Sequence, residues 1–485
     1  MTERGLNFIG GAWVPAASGA TFERRNPADV DDLVGVFPDS SAADMAAAVA
    51  GVAEGCAEWA RTTPERRADV LEGAADLLAA RAADLTVELV REEGKTLAEA
   101  SVETGRTPRN LRYFAQLGLG LTGTTYPAAA GGGLVFTAQD PVGVVGAITP
   151  WNFPLNIPSR KLGPALATGN GVVFKPSPVT PLLAQRLVEA LLEAGLPGGA
   201  LALVQGGAEP GAALAGDPRA GAITFTGSVP AGHAVHAATG PIRRCQLEMG
   251  GKNPVIVAED ADLDVAVGVI AKGAFGLTGQ ACTGTSRVIV PDALHDALVE
   301  RLVAAAESRK IGDGRDPGID MGPLAADFQL EKVLSYVRIG QEEGARLVTG
   351  GRRLTGDGRE RGFFVEPAVF TECAPDMRLV REEIFGPVLV VQRAGSFEEA
   401  AALAHDTPYG LSAGLVTRDL DHALAFARTA RAGVVKVNQP TTGMGMTVPF
   451  GGLGASGSQT YKEQGGGQLL PFYVQEKSVY VSPHG

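Results

Sequence analysis

Residues 279–287 read GQACTGTSR, and Cys282 sits there among glycines and small polar residues that leave room for a ligand. A structural cysteine usually stands in an apolar strand or helix and packs as a small hydrophobe. In an open setting the same thiol is a nucleophile, provided a base and thiolate character are supplied. Glu248 ends the apolar run in LEMGGKN, just ahead of two glycines. A carboxylate at such an edge is either a solvated strand end or, when partly buried, a general base whose pKa rises toward neutrality. Asn152 lies in ITPWNFPL, a loop stiffened by prolines beside Trp151 and Phe153. Its amide either satisfies the loop backbone or joins the Cys282 backbone N–H in an oxyanion hole.

Two further stretches offer anion and hydroxyl contacts. FTGSVPAGH follows the strand-like AITF, so a Gly-Ser turn enters a helix and presents free N–H groups at a positive dipole end, suited to a phosphate. The strict G-x-G-x-x-G fingerprint is absent there. Lys175 in FKPSP ends another apolar run, as an exposed strand-end lysine or as a donor to ribose hydroxyls.

The elements that must hold these residues alternate. From about Ala42 to Ala115 the texture is helical: SAADMAAAVAGVAEGCAEWA opens with a Ser-x-x-Asp capping pattern, and Pro64 suits the first turn of the next helix. Beyond it, short β-branched runs (PVGVVGAITPW, GVVFKPS, LALVQGG, AITFTGS, NPVIVAE) stop at Gly, Pro or polar residues. Helical segments such as TPLLAQRLVEALLEAGL lie between them, which predicts a mostly parallel, doubly wound α/β sheet. A second α/β series begins near LEMGGKN, which marks a domain boundary. The C-terminal LLPFYVQEKSVYV reads as a strand in need of a partner, and TYPAAAGGGLVFTAQD offers the matching hairpin. A lone ribbon is marginal, so contact with another subunit is expected, against the alternative that both strands cap one monomer's sheet.

With 485 residues the chain exceeds what one hydrophobic core serves. A net charge of -12 disfavours nucleic acid and anionic membranes as partners, and no apolar run approaches the ~20 residues of a membrane span. Cys56, Cys245, Cys282 and Cys373 form no CxxC pair, so neither a cysteine zinc site nor any other metal is expected. Such cysteine usage fits a reducing, cytoplasmic compartment, and MTERGLNFIGG lacks the basic-then-apolar pattern of a secretory signal.

Taken together, PWNFPL, FTGS, LEMGGKN, GQACTGTSR, EEIFGPV and PFGGLGASG stand in the order and at the spacing of one family. From NFIGGAWVPAASG to PFYVQEKSVYV the chain resembles the NAD(P)-dependent aldehyde dehydrogenases, with Gly284 where the family usually has Ala. The resemblance implies a Rossmann-type cofactor domain (1–117 and 139–248), an α/β catalytic domain (249–452) and a small β oligomerisation arm (118–138 and 465–485) serving a homodimer or homotetramer. It makes Cys282 the nucleophile, Asn152 the oxyanion donor and Glu248 the base that hydrolyses a Cys282 thioester, with Glu463 of TYKEQG and Lys161 completing the catalytic set. A glutamate at position 248 implies release of a free acid rather than acylation of coenzyme A. Cofactor contacts carried over are Ile148, Pro150, Trp151, Lys175, Ser177, Phe225, Gly227, Ser228, Met249, Glu383 and Phe385. Pro178 stands where strict NAD enzymes often place a glutamate, so NAD is expected with NADP left open.

Arg160 in NIPSRKLGPAL occupies a position that is often aromatic in the family but arginine in members acting on succinic semialdehyde. A guanidinium there offers a fork for a carboxylate or phosphonate, unless it turns aside into an internal salt bridge. The second arginine of that subgroup falls at Gly276, and the helix GRTPRNLRYF supplies Arg106, Arg109 and Arg112 as replacements, Arg109 being the one carried forward. The tail KEQGGGQLLPFYVQEKSVYV also resembles the α-ketoglutaric semialdehyde subgroup. The expectation is a short aldehyde with an anionic end. The competing readings are a broad dehydrogenase for uncharged aldehydes, an inactive scaffold, and a cofactor-free cysteine hydrolase, the last disfavoured because no His shares a motif with Cys282.

Overall fold

Apolar strands alternating with helices can bury both faces of a sheet, and the chain uses this twice. The computed structural model describes residues 2–128, 133–458, 461–463 and 468–482. The helices that matter for the site are α1 (Ala42–Ala60), α2 (Pro64–Ala80), α3 (Ala82–Glu93), α4 (Leu97–Leu119), α5 (Asn156–Ala167), α6 (Pro181–Glu193), α7 (Ala208–Gly216), α8 (Val229–Thr239) and α9 (Leu263–Phe275). Their starts follow local chemistry. Ser41 and Asp44 close a capping box on α1, Thr63 caps α2 with Pro64 in its first turn, and Thr96 with Glu99 caps α4.

The first sheet runs in the order Arg244–Glu248, Ala220–Thr226, Val144–Ile148, Gly171–Lys175, Leu201–Leu203, Asn7–Ile9, Ala12–Val14. The strands from Arg244–Glu248 to Leu201–Leu203 are parallel, and the N-terminal hairpin adds antiparallel strands at the far edge. Side chains alternate between two cores, as strand geometry demands. Val145, Val172 and Phe174 face a cluster with Leu71, Phe114, Leu162 and Leu187, while Val144, Ile148 and Val173 face Met45, Val49 and Leu214. From the central strand Val144–Ile148 the chain winds first to one side and later to the other. The crevice between that strand and Ala220–Thr226 is therefore a topological switch point, where parallel sheets bind ligands.

Between Glu248 and Asn253 the chain crosses to the second sheet, ordered Arg346–Thr349, Ala368–Thr371, Val388–Ala394, Thr285–Pro291, Asn253–Val257, Ser412–Val416, Val434–Val437. Only its first strand is antiparallel to its neighbour. The C-terminal strand Val474–Val481 pairs antiparallel with Leu134–Pro141 from Val474↔Pro141 to Val481↔Leu134, and Thr125–Tyr126 adds a third strand. The hairpin expected of TYPAAAGGGLVFTAQD thus finds its partner strand within the same chain. Residues 129–132, 465–467 and 483–485 of the expected arm lie outside the described residues. A small sheet of Glu3–Arg4, Asp29–Pro38 and Thr21–Asn26 has no counterpart in the sequence reading. Among the described residues no helix is long and apolar enough to cross a membrane.

Candidate active site

Cys282 lies between α9 and the strand Thr285–Pro291, just after a tight turn. Leu277, Thr278 and Gly279 all adopt left-handed backbone, with φ of 55°, 53° and 69°. Only the glycine does so without steric cost. The Cys282 carbonyl accepts from Asn253 Nδ2 at 2.8 Å. Burial pushes the half-buried thiol up to about 12, and the Glu383 carboxylate adds to the rise while Arg160 opposes it. At neutral pH the sulfur therefore needs a base before it can attack.

A cavity of about 560 Å³ opens onto this sulfur, and Glu248, Glu463 and Arg160 share its wall. Glu248 ends the strand Arg244–Glu248, only 2% exposed, and its Oε2 accepts from Gly452 N–H at 3.4 Å. Burial first, then the Glu463 carboxylate, holds its carboxyl well above the usual carboxylate range, with Lys161 and Lys462 pulling the other way. Behind it, Lys161 Nζ stands 3.3 Å from Glu463 Oε1 and donates to Thr224 Oγ1 at 2.9 Å. The Thr224 hydroxyl passes on to Gln246 Oε1 at 2.7 Å. Burial lowers the Lys161 ammonium, against the pull of Glu463 and then Glu248. Titratable groups pushed toward neutrality from opposite sides are the means by which a site moves protons.

Asn152 is buried but is not on the cavity wall. Its Nδ2 donates to Gln280 O at 2.9 Å, and its own carbonyl accepts from Lys95 Nζ. One amide hydrogen thus ties the loop to the segment carrying Cys282. The amide nitrogen bears a second hydrogen, the donor required of an oxyanion hole.

Of the arginines singled out, Arg160 lines the cavity as expected, and the one carried forward on α4 does not. Arg160 on α5 is 6% exposed and lines the cavity, its guanidinium 5.7 Å from the Phe450 ring centroid. On α4, Arg106 lines the cavity and donates to the Met444 carbonyl, whereas Arg109 is exposed and off the wall. Arg112 pairs with Asp76 at 2.6 Å. The helical period explains the correction. Glu103, Thr107, Asn110 and Phe114 form the buried face of α4. The buried arc runs on through Leu111 and Ala115 to Pro108, so at 100° per residue Arg106 borders its Glu103–Asn110 edge, Arg112 borders the opposite edge, and Arg109 faces away from it. Burial lowers the Arg106 guanidinium, and Arg160 and then Arg109 add to the fall. Gly276 also lines the cavity, with open space where a Cβ would be. The sequence reading did not single out Phe450, although it lies in the quoted PFGGLGASG.

The switch-point crevice collects the remaining residues. Ile148, Pro150 and Trp151 leave the central strand, Phe225, Gly227 and Ser228 leave its neighbour, and Lys175 and Ser177 leave the next. Trp151 and Phe385 meet edge to face with centroids 5.4 Å apart. Burial lowers the Lys175 ammonium to about 8, with Asp39 opposing. Ser177 Oγ accepts from Val179 N–H at 3.2 Å. Ser228 caps α8 without a side-chain cap bond, and Gly227 N–H donates to Glu248 O at 3.0 Å. Met249 is buried. Glu383 Oε1 accepts from Gly251 N–H at 3.1 Å, and a Cβ at Gly250 would sit 2.0 Å from Glu383 Oε2. Burial raises the Glu383 carboxyl, against Lys332. A helix N-terminus with an uncommitted serine, a buried ammonium at a strand end and a carboxylate approached only past glycine fit a dinucleotide. Among the described residues no group of three or more His, Cys, Asp or Glu side chains is placed to hold a metal ion.

The model of the aldehyde dehydrogenase family matches residues 13–479. An alpha-ketoglutarate semialdehyde dehydrogenase of Haloferax volcanii is 43% identical, with 99% of this chain and 100% of the relative covered. An alpha-ketoglutaric semialdehyde dehydrogenase of Bacillus subtilis is 41% identical, with 99% and 98% covered. Among solved structures, an NAD-dependent aldehyde dehydrogenase from Sinorhizobium meliloti superposes with a TM-score of 0.94 at 37% identity, covering 100% of this chain and 96% of that one.

Proposed function

This chain belongs to the aldehyde dehydrogenase family and is an NAD(P)-dependent aldehyde oxidoreductase, and we propose that its substrate is a short semialdehyde with a carboxylate at the far end. The observation that carries the proposal is Arg160, a buried guanidinium on the wall of the cavity that holds Cys282. A carboxylate brought there gains a charge-assisted contact that an uncharged aldehyde of the same length cannot make. The names of the Haloferax and Bacillus relatives support α-ketoglutaric semialdehyde as the member of this class.

In the reaction, the Cys282 thiol gives its proton to Glu248, the thiolate sulfur attacks the aldehyde carbon, and the resulting oxyanion is received by the Asn152 amide and the Cys282 backbone N–H. A bound dinucleotide would be held by Lys175, Ser228, Trp151, Glu383 and Phe385 and would supply hydride acceptance. The thioester left on Cys282 is hydrolysed by a water whose proton passes to Glu248, and Glu463 with Lys161 carries that proton onward. Pro178 places no carboxylate against a 2′-phosphate. NAD remains the proposed cofactor, supported by the name of the Sinorhizobium structure. Self-association through the edge strand Val474–Val481, where Tyr480 and Val481 are exposed, is proposed on the same footing. Four free cysteines fit the proposed cytoplasmic location.

The test is kcat/KM for anionic and neutral aldehydes of equal length, with NAD and with NADP. Arg160→Leu should cost the anionic substrate about 10- to 100-fold, the worth of a hydrogen bond to a charged group, and spare the neutral one. An unchanged ratio sinks the anion site. Activity in Cys282→Ala would sink the nucleophile.

A further inference from the structure

The segment joining α3 to α4 touches both halves of the site. Lys95 holds the Asn152 carbonyl, and Glu103 Oε1 accepts the backbone N–H groups of Leu155 and Asn156 at 3.0 Å each, at the start of the helix that carries Arg160 and Lys161. Glu99 reaches the other way. Its Oε2 accepts from Thr96 N–H and Thr96 Oγ1, both at 3.0 Å, which completes the α4 capping box. Its Oε1 accepts the Leu277 N–H at 2.6 Å.

Leu277 and Thr278 are two successive non-glycine residues in left-handed backbone, a conformation that relaxes unless its surroundings over-determine it. Other bonds brace this turn besides the one from Glu99, among them Gln280 Nε2 donating to Leu277 O at 3.4 Å. Thr278 Oγ1 donates to Gly322 O at 3.0 Å, and Gln280 N–H to Leu277 O at 2.9 Å. Ala325 N–H donates to Gln280 Oε1 at 2.9 Å, and Asn152 Nδ2 to Gln280 O at 2.9 Å. The Glu99 carboxylate engages the backbone donor of the first residue of the strained pair, and it does so from a helix that belongs to the core of the other sheet.

We propose that Glu99 is a positioning residue for the nucleophile: by accepting the Leu277 N–H it clamps the left-handed turn from which Cys282 projects, and so sets the sulfur against the Asn152 loop. The inference rests on the reading of Cys282 as nucleophile. A cap carboxylate with a second task has a precedent in the same molecule, since Asp44 caps α1 and also accepts Ala17 N–H at 2.8 Å.

That precedent supplies the experiment. Glu99→Asp keeps an N3 carboxylate able to close the box, as Asp44 does on α1, but is one methylene too short to hold Leu277. Thr96→Ala removes the cap and leaves the Leu277 contact. With NAD bound, Glu99→Asp should unfold at the wild-type temperature and keep the wild-type KM for NAD. Its kcat should drop on the order of 10- to 100-fold, as for a reacting group displaced by a fraction of an ångström to one ångström. Alkylation of Cys282 by iodoacetamide, located by peptide mass, should slow with it. Thr96→Ala should melt earlier and retain kcat and the alkylation rate. The proposal is overturned if Glu99→Asp reacts and turns over like wild type, if its kcat falls while Cys282 alkylates normally, or if Thr96→Ala reproduces the loss. Turnover surviving in Cys282→Ala would instead remove the nucleophile reading itself.

Discussion

Two lysines are buried behind the cavity, each facing two carboxylates, and they end in opposite states. Lys95 lies 3.0 Å from Glu103 and 3.3 Å from Glu93. Burial alone would lower its ammonium, but the two carboxylates, Glu103 foremost, more than offset that and raise it. Lys161 has one such contact, Glu463 at 3.3 Å, with Glu248 acting only from farther away, and there burial wins and lowers the ammonium. A cation inside two close ion pairs keeps its proton and acts as a strut, here on the Asn152 carbonyl. A cation with one pair and a hydroxyl neighbour holds its proton less tightly than a free lysine does. The residue types match in the two clusters, and the number of close pairs separates them.

The comparison can be broken most directly on the proton-moving side. Glu248→Gln should lower kcat by about 10²- to 10⁴-fold, the usual worth of a general base. The stopped-flow burst of NADH should slow as well, because the same carboxylate takes the Cys282 proton before the thioester forms. Wild-type turnover in this variant would end the role assigned to Glu248. On the strut side, Lys95→Met leaves Glu93 and Glu103 buried without their cation and should cost about 3–5 kcal/mol of stability, the usual loss when one partner of a buried pair is removed. Denaturant unfolding reads that loss, and a variant as stable as wild type would show that Lys95 is no strut. The smallest effect is a shift in pH. Lys161 lowers the Glu248 carboxyl, so Lys161→Met should raise it further. Glu248 serves as a base only when ionised, so the acid limb of the kcat profile should move to higher pH, with activity at neutral pH recovering on alkaline titration. A limb that stays in place or moves to lower pH would uncouple the two residues.

Much of the scaffold was legible because its causes are local. The Ser41–Asp44 box, Pro64 in the first turn of α2 and the β-branched runs ending at Ile148 and Lys175 each follow from neighbours in sequence. The sequence offered TYPAAAGGGLVFTAQD as a hairpin for the C-terminal strand, and Leu134–Pro141 within it pairs with Val474–Val481. The choice of Arg109 over Arg106 failed because three arginines were read as a cluster without the phase of α4. The role of Lys95 was missed because REEGK looks like a solvated charge run, and nothing local shows that Glu93, Lys95 and Glu103 are all buried together. Asn152 was expected as an oxyanion donor, and what local sequence could not show is the second tie of its amide, to Gln280, a partner 128 positions away.

The sequence by itself determined the chemical inventory and the order in which it leaves the strands: Cys282 in an open glycine-flanked loop, Glu248 at a strand end before two glycines, and an arginine at 160. Those follow from residue type, propensity and spacing, which act within a few residues. Only the tertiary structure decided what state each group is in. Which lysine is a strut and which a proton carrier, which arginine enters the cavity, and what holds the Leu277–Thr278 turn all depend on burial and on charges brought within about 3 Å from distant segments. Coulomb and desolvation energies change steeply over that distance and not at all with separation along the chain.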